Sequence, residues 1–307
     1  MRILLQLPGH AVDEWRRALA AALPEADIVV WPEVAAPVDY LLVWKPPAEL
    51  FRAVAPTKAV FNVGAGVDAL LAVPTLPADV PLLRLEDAGM ALQMAEYATL
   101  AVLAAYREQR EYAAQQRESR WAPRRRIAKE DFGVGLLGFG VLGQAVAAAL
   151  APFGFPLAGW SRERKSVPGV ASFAGTGELS AFLARTRVLI CLLPSTPQTR
   201  DLLGRDLLAQ LPAGAHVVNV ARGDILVDAD LVALLDEGHL ASATLDVFRD
   251  EPLSPDHPFW HHPRISLTPH VSAVTRRAES VAQIAAKIRR LERGEAVTGV
   301  VDRARGY

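Results

Sequence analysis

The chain of 307 residues contains a single cysteine, Cys191. One thiol cannot build a disulfide framework, so the sequence points to a reducing, cytoplasmic setting. Cys191 lies in the apolar run 188–193 and reads as a buried strand residue with no redox role. An excess of one charge is also missing: 33 Lys and Arg stand against 34 Asp and Glu, a net charge of −1. That balance argues against nucleic acid as a partner. The run Arg124-Arg125-Arg126 beside Trp121 is therefore read as a solvated loop. Long apolar runs are missing as well. The uncharged stretch 97–106 is about half a membrane span. The opening Met1-Arg-Ile-Leu-Leu-Gln-Leu7 meets Pro8-Gly9 too early for a signal h-region and reads as a first strand. No membrane partner is expected. Internal repeats and low-complexity segments are absent.

What is present is ample apolar material, 51% of residues, enough for two domains with their own cores. Residues 3–7, 28–31, 40–44 and 59–63 are short strand-like runs. A helical pattern over 13–23 puts Trp15, Leu19 and Ala22 on one face. A long helix is predicted over 91–120, apolar in its first half, charged in its second and ended by Pro123. Its apolar run, 92–105, exceeds what one face of a surface helix carries. Further strand runs follow at 132–137, 156–160, 188–193, 216–220, 243–248 and 265–267, and a last helix at 277–293. Strands alternating with helices predict parallel sheets.

Gly138-Phe139-Gly140-Val141-Leu142-Gly143 matches G-x-G-x-x-G between a strand-like run and a helix pattern. Gly138 allows the tight turn, Gly140 lets backbone approach a pyrophosphate, and Gly143 lets helix and strand pack closely. The helix start supplies N–H groups for the phosphates. Leu193 and Pro194, ending a later strand run, are counted with this cofactor site. An acidic residue is normally found about 20 residues on, where it binds the ribose 2′-hydroxyl of NAD. Here the chain has Ser161-Arg162-Glu163-Arg164-Lys165. Ser161 and Arg162 suit a 2′-phosphate, with charge added by Arg164 or Lys165. NADPH is expected, with NADH weaker. The fold class that follows is α/β, two Rossmann-like domains with doubly wound parallel sheets. A cofactor domain, 96–275, is inserted into a discontinuous substrate domain, 1–95 and 276–307.

Three strand runs lead into Arg222, Glu251 and His270. His270 can donate a proton to an oxygen that receives hydride-derived charge. Glu251 would hold the imidazole and favour its charged form. Arg222 can clamp a substrate carboxylate and polarise a keto oxygen. In the first domain, Gly64-Ala65-Gly66 follows a strand. It is either an anion-binding nest for that carboxylate or a plain turn. Trp44, also after a strand, would line the same place. The histidines at 257, 261 and 262 match no zinc spacing, and no metal is expected.

Together, Gly64-Ala-Gly-Val-Asp68, the glycine fingerprint, Asn219-Val-Ala-Arg-Gly223, Leu245-Asp-Val-Phe248, Glu251-Pro252 and Thr268-Pro-His270 resemble the D-2-hydroxyacid dehydrogenases, in that family's order. The resemblance implies that Arg222, Glu251 and His270 are catalytic and that Asp246 binds the nicotinamide carboxamide. Trp160-Ser-Arg162, Ser172-Phe-Ala-Gly175 and the ending Val301-Asp-Arg-Ala-Arg-Gly-Tyr307 resemble the family's bacterial glyoxylate/hydroxypyruvate reductase branch. That branch implies NADPH-dependent reduction of small 2-keto acids and a homodimer. The long helix, with its apolar run 92–105, and Trp121 would then belong to the dimer interface, with Trp121 reaching toward the partner's cleft. Two other readings stay open: a reductase of a bulkier keto acid such as phenylpyruvate, and a non-enzymatic dinucleotide sensor on the same fold.

Overall fold

The structure, a computed structural model, describes residues 1–9, 11–33, 37–125 and 127–307. Arg126 of the basic run lies outside the described residues. The strands are β1 (Arg2–Gln6), β2 (Asp27–Val30), β3 (Val38–Val43), β4 (Pro56–Asn62), β5 (Leu82–Arg84), β6 (Val134–Leu137), β7 (Leu157–Ser161), β8 (Val170–Ala174), β9 (Val188–Cys191), β10 (Ala215–Asn219), β11 (Leu240–Leu245) and β12 (Ile265–Leu267). The helices are α1 (Val12–Ala22), α2 (Leu50–Ala53), α3 (Asp68–Leu71), α4 (Met90–Tyr106), α5 (Gln109–Arg117), α6 (Val141–Leu150), α7 (Leu179–Leu183), α8 (Arg205–Leu208), α9 (Asp228–Asp236) and α10 (Arg277–Glu292). The chain forms two compact units, Met1–Met90 with Thr275–Tyr307, and Ala91–Val274.

The first unit holds a five-stranded parallel sheet ordered β2-β1-β3-β4-β5. Ile3, Leu4, Leu5, Leu41, Leu42 and Val43 are completely buried, as strands covered by helices on both faces require. Helix α10 returns to pack on α1. The tail beyond it bridges the β5 edge antiparallel through Val300, covering backbone groups that would otherwise be unpaired. In this strand order ligands bind at the β1/β3 switch point, off the carboxyl ends of the strands. Trp44 directly follows β3 there, and its N–H donates to the Gln6 carbonyl ending β1.

The second unit holds a seven-stranded parallel sheet ordered β12-β11-β10-β9-β6-β7-β8. Numbered within the unit, six strands take the dinucleotide-binding order 3-2-1-4-5-6, with a seventh beyond them. The switch point lies between β6 and β9. One face is covered by α4 and α6 through Met94, Ala98, Val102, Val146 and Leu150. The other is covered by α7, α8 and α9 through Phe182, Leu207, Leu231 and Leu234. Cys191 is fully buried here, and burial pushes its thiol up to about 12, far from thiolate chemistry at neutral pH.

The structure departs from the sequence expectation in one helix and in two short strands. The long helix over 91–120 is two helices. Glu108 takes a left-handed φ of 52° between α4 and α5, and an L-residue in that conformation cannot continue a right-handed helix. The second helix stops before Pro123, at the left-handed Ser119. There the Arg120 N–H donates back to the Gln115 carbonyl at 2.8 Å, a C-terminal cap. The other difference is a pair of short strands, β5 and β8, that the apolar pattern does not announce. β8 is a half-buried edge strand, so its sequence carries no continuous apolar run.

Candidate active site

Strands β10, β11 and β12 are neighbours, so the loops leaving their carboxyl ends lie side by side. These loops carry Arg222, Glu251 and His270. Asn219 shapes the first of them: its amide donates to the Arg222 carbonyl at 3.0 Å and accepts from the Ala221 N–H at 3.1 Å. Gly223 is dictated by packing. A Cβ there would lie 1.8 Å from the Phe248 carbonyl carbon and 2.2 Å from the Arg249 nitrogen. The Arg222 loop and the Glu251 loop are therefore in backbone contact, and only glycine allows it.

Glu251 accepts from the Phe248 N–H at 3.1 Å through one oxygen and meets His270 Nδ1 at 2.8 Å through the other. The pair is partly exposed, with side-chain accessibilities of 42% for His270 and 29% for Glu251. That fixes Nδ1 as the inward nitrogen and leaves Nε2 for chemistry. His270 itself holds a left-handed φ of 55°. Such a conformation costs roughly 1–3 kcal/mol in a non-glycine residue and persists where neighbours enforce it. Arg222 Nη1 donates to the carbonyl of its own neighbour Ala221 at 2.7 Å.

Asp246 follows β11 and is completely buried. Its carboxylate accepts from the Thr268 hydroxyl at 2.6 Å, the Val271 N–H at 2.9 Å and the Ser272 N–H at 2.8 Å. It braces the loop that carries His270. Three donors leave about one of a carboxylate's four acceptor positions, and any bond to a carboxamide is limited to that position. Thr268 lies in the Thr-Pro-His motif. Tyr97, whose hydroxyl meets Thr268 Oγ1 at 2.6 Å, has no sequence signal at all.

The fingerprint loop fits a dinucleotide. Gly138 has φ 109°, and a Cβ there would strike Leu192 and Leu193 backbone after β9, across the switch point. A Cβ at Gly143 would lie 2.3 Å from the Gly138 carbonyl oxygen. Gly140 faces open space, with nothing within 4 Å of an added Cβ. That open position is where a pyrophosphate needs backbone to be bare. Helix α6 begins there with no side-chain cap and no acid in its first turn, so its first N–H groups, at Val141 and Leu142, remain available to an anion. Leu193 and Pro194 continue from β9. The Pro194 carbonyl accepts from the Thr199 hydroxyl at 2.7 Å, and Ser195 donates to Asp224 at 2.7 Å, tying this loop to the Arg222 loop.

Ser161 ends β7, and its hydroxyl donates to the Glu163 carbonyl at 2.7 Å, closing a turn that carries the exposed Arg162. Arg164, expected to add charge for a 2′-phosphate, is engaged elsewhere: it donates to Glu178 and to the Ser172 carbonyl.

In the first unit, the Asn62 amide donates to the carbonyls of Gly64 at 3.2 Å and Gly66 at 2.8 Å, drawing the Gly64-Ala65-Gly66 loop into a tight turn. Gly64 has no left-handed φ, so the alternating backbone of a nest is not formed at this residue. Its glycine is required by Trp44, whose ring would lie 2.4 Å from a Cβ. Among the described residues no three His, Cys, Asp or Glu gather as a metal site, and no helix is long and apolar enough to cross a membrane.

Comparison with known proteins agrees with this arrangement. Residues 99–272 match the family described as D-isomer specific 2-hydroxyacid dehydrogenase, NAD binding domain. The chain is 50% identical over 314 aligned residues, all of both chains, to glyoxylate/hydroxypyruvate reductase A of Salmonella paratyphi B. A D-isomer specific 2-hydroxyacid dehydrogenase of Xanthobacter autotrophicus Py2, solved with NADPH and MES, superposes with a TM-score of 0.95 at 40% identity. It covers 100% of this chain and 99% of that one. The NADPH-dependent glyoxylate/hydroxypyruvate reductase of Sinorhizobium meliloti, solved with NADP and sulfate, gives 0.93 at 36% identity over the same shares. With its glycine loop, switch-point geometry and His–Glu pair on neighbouring strand ends, the chain belongs to the D-isomer specific 2-hydroxyacid dehydrogenase family.

Proposed function

We propose that this protein uses NADPH to reduce small 2-keto acids, glyoxylate to glycolate and hydroxypyruvate to D-glycerate. The observation that carries the reading is the 2.8 Å contact between His270 Nδ1 and Glu251, in the unit whose β6–α6 loop fits a dinucleotide. NADPH, when bound, supplies the hydride. Protonated His270 gives its Nε2 proton to the substrate oxygen as negative charge grows there. Glu251 orients the ring from Nδ1 and stabilises the cation. Arg222 swings from the Ala221 carbonyl to grip the substrate carboxylate with its planar fork. Trp44 and the Gly64-Ala65-Gly66 loop are assigned to the substrate. Gly138, Gly140, Val141, Leu142, Gly143, Leu193 and Pro194 are assigned to the cofactor, with Ser161 and Arg162 at its 2′-phosphate. Asp246 has its remaining acceptor position for the carboxamide. A dinucleotide sensor would need the glycine loop but not the aligned His–Glu pair.

The single, buried cysteine suits a cytoplasmic enzyme. Homodimer formation is supported by α4, where Leu92 and Leu100 are exposed although the helix is otherwise packed on the sheet. Beyond α5, Trp121 is 98% exposed beside a groove of about 590 Å³ lined by Tyr112, Gln115, Arg120 and Pro123. An aromatic this bare is a typical interface anchor.

The deciding assay is NADPH oxidation with glyoxylate and hydroxypyruvate, run beside His270→Ala. The variant is expected to lose roughly 10²- to 10⁴-fold in turnover while still binding NADPH. Near-wild-type turnover in it would exclude His270 as donor. Sedimentation of the wild type as a monomer at micromolar concentration would exclude the dimer.

A further inference from the structure

We propose that Tyr97 and Thr268 are positioning residues for His270, acting through the buried carboxylate of Asp246. The inference rests on His270 being the proton donor. His270 sits in a left-handed conformation that an L-residue adopts only when its surroundings impose it. Asp246 imposes it. Its backbone carbonyl accepts the His270 N–H at 2.8 Å, and its carboxylate takes Thr268 on one side of His270 and Val271 and Ser272 on the other.

The direction of the hydrogen bonds follows from proton counting. An ionised carboxylate only accepts. The Thr268 hydroxyl therefore spends its single proton on Asp246, at 2.6 Å. Its oxygen is left as an acceptor, and the Tyr97 hydroxyl, 2.6 Å away, must donate to it. Burial pushes the Tyr97 phenol up from its ordinary value, which keeps that donor protonated. The result is a one-way chain, Tyr97 to Thr268 to Asp246, with each donor used once.

Helix α4 holds the loop at a second point. Gln93, one turn before Tyr97, donates to the Val274 carbonyl at 2.9 Å and accepts from the Val274 N–H at 3.2 Å. Residues four apart share one helix face. That face thus fastens both ends of the 268–274 loop, with His270 between them. Neither Tyr97 nor Thr268 contacts His270 with its side chain in this network, so their effect is on where the imidazole sits.

The test compares Tyr97→Phe, Thr268→Val, Thr268→Ser and, as control, His270→Ala. Steady-state NADPH oxidation with glyoxylate gives kcat and KM, and fluorescence titration gives NADPH affinity. Tyr97→Phe is expected to lower kcat by about 3- to 10-fold, the worth of one neutral hydrogen bond. Thr268→Val is expected to lower it by about 100-fold, as a misplaced catalytic group does. Thr268→Ser, which keeps the hydroxyl, is expected to restore most of the rate. NADPH affinity should stay within about twofold in Tyr97→Phe and Thr268→Ser, which leave the Asp246 carboxylate its donors. Wild-type kcat in folded Tyr97→Phe, or equal losses in NADPH affinity and kcat, would overturn the proposal. If Thr268→Val does not fold, Tyr97→Phe and Thr268→Ser decide it. Full activity in His270→Ala would instead remove the proton-donor reading, a different failure.

Discussion

Gly140→Ala separates cofactor binding from folding in one substitution. Nothing lies within 4 Å of the methyl it adds, and the residue has an ordinary extended conformation, φ −81° and ψ −155°. The fold should not register the change, so stability should stay within about 0.5 kcal/mol. The open space is where a pyrophosphate needs to approach the backbone. A methyl there keeps the phosphate from the α6 N–H groups. Losing one charge-assisted hydrogen bond costs roughly 1.5–3 kcal/mol, or about 10- to 150-fold in affinity. NADPH titration followed by fluorescence reads the binding, and thermal unfolding without cofactor reads the fold. Gly143→Ala is the counterpart. Its Cβ would lie 2.3 Å from the Gly138 carbonyl oxygen, so it should destabilise the apo-protein by about 1–3 kcal/mol. Unchanged NADPH affinity in Gly140→Ala would refute the pyrophosphate placement. A lowered unfolding temperature in the same variant would refute the packing argument.

Gly223→Ala should lose about 100-fold in kcat, because backbone displaced at Phe248 carries Glu251 with it. Retained kcat would show that the two loops are not in register. Arg162→Ala should weaken NADPH use by about 10- to 150-fold and leave NADH nearly unchanged. Equal losses with both cofactors would reject the 2′-phosphate role. The partly buried His216 meets Ser242 at 2.7 Å, and desolvation there, with Arg187 and Arg110 nearby, holds it down at about 4. Its folded-state value is below its ordinary 6.5. The unfolded chain therefore takes up the proton first, and stability present above pH 6.5 is lost as pH falls toward 4. Thermal midpoints of wild type should drop across that window by the equivalent of up to about 3 kcal/mol, and His216→Gln should flatten the drop. Parallel pH profiles for the two proteins would exclude His216 as the cause.

Much of this architecture is legible in the linear sequence because its signals are local. The glycine fingerprint is read within six residues, between a strand pattern and a helix pattern. The three strand runs preceding Arg222, Glu251 and His270 are short, apolar and closed by recognisable turns. Ser161 and Arg162 stand where an acid is otherwise expected. Each depends on neighbours in the chain, whose spacing the sequence displays directly.

Tertiary structure decided what depends on distant partners. The predicted long helix breaks at Glu108, where no proline or glycine marks the turn and the Glu108 side chain pairs with Arg124. Arg164 is basic and in the right loop, yet Glu178 and Ser172 take it. Gly223 reads as one more loop glycine until Phe248 backbone is found against it. Tyr97 reads as a helix residue like its neighbours until Thr268, 171 positions away, is found at its hydroxyl. Hydropathy and spacing report which residues turn inward. They carry no record of which inward residue meets which, because those pairings form only when strands and helices far apart in the chain are packed into one layer.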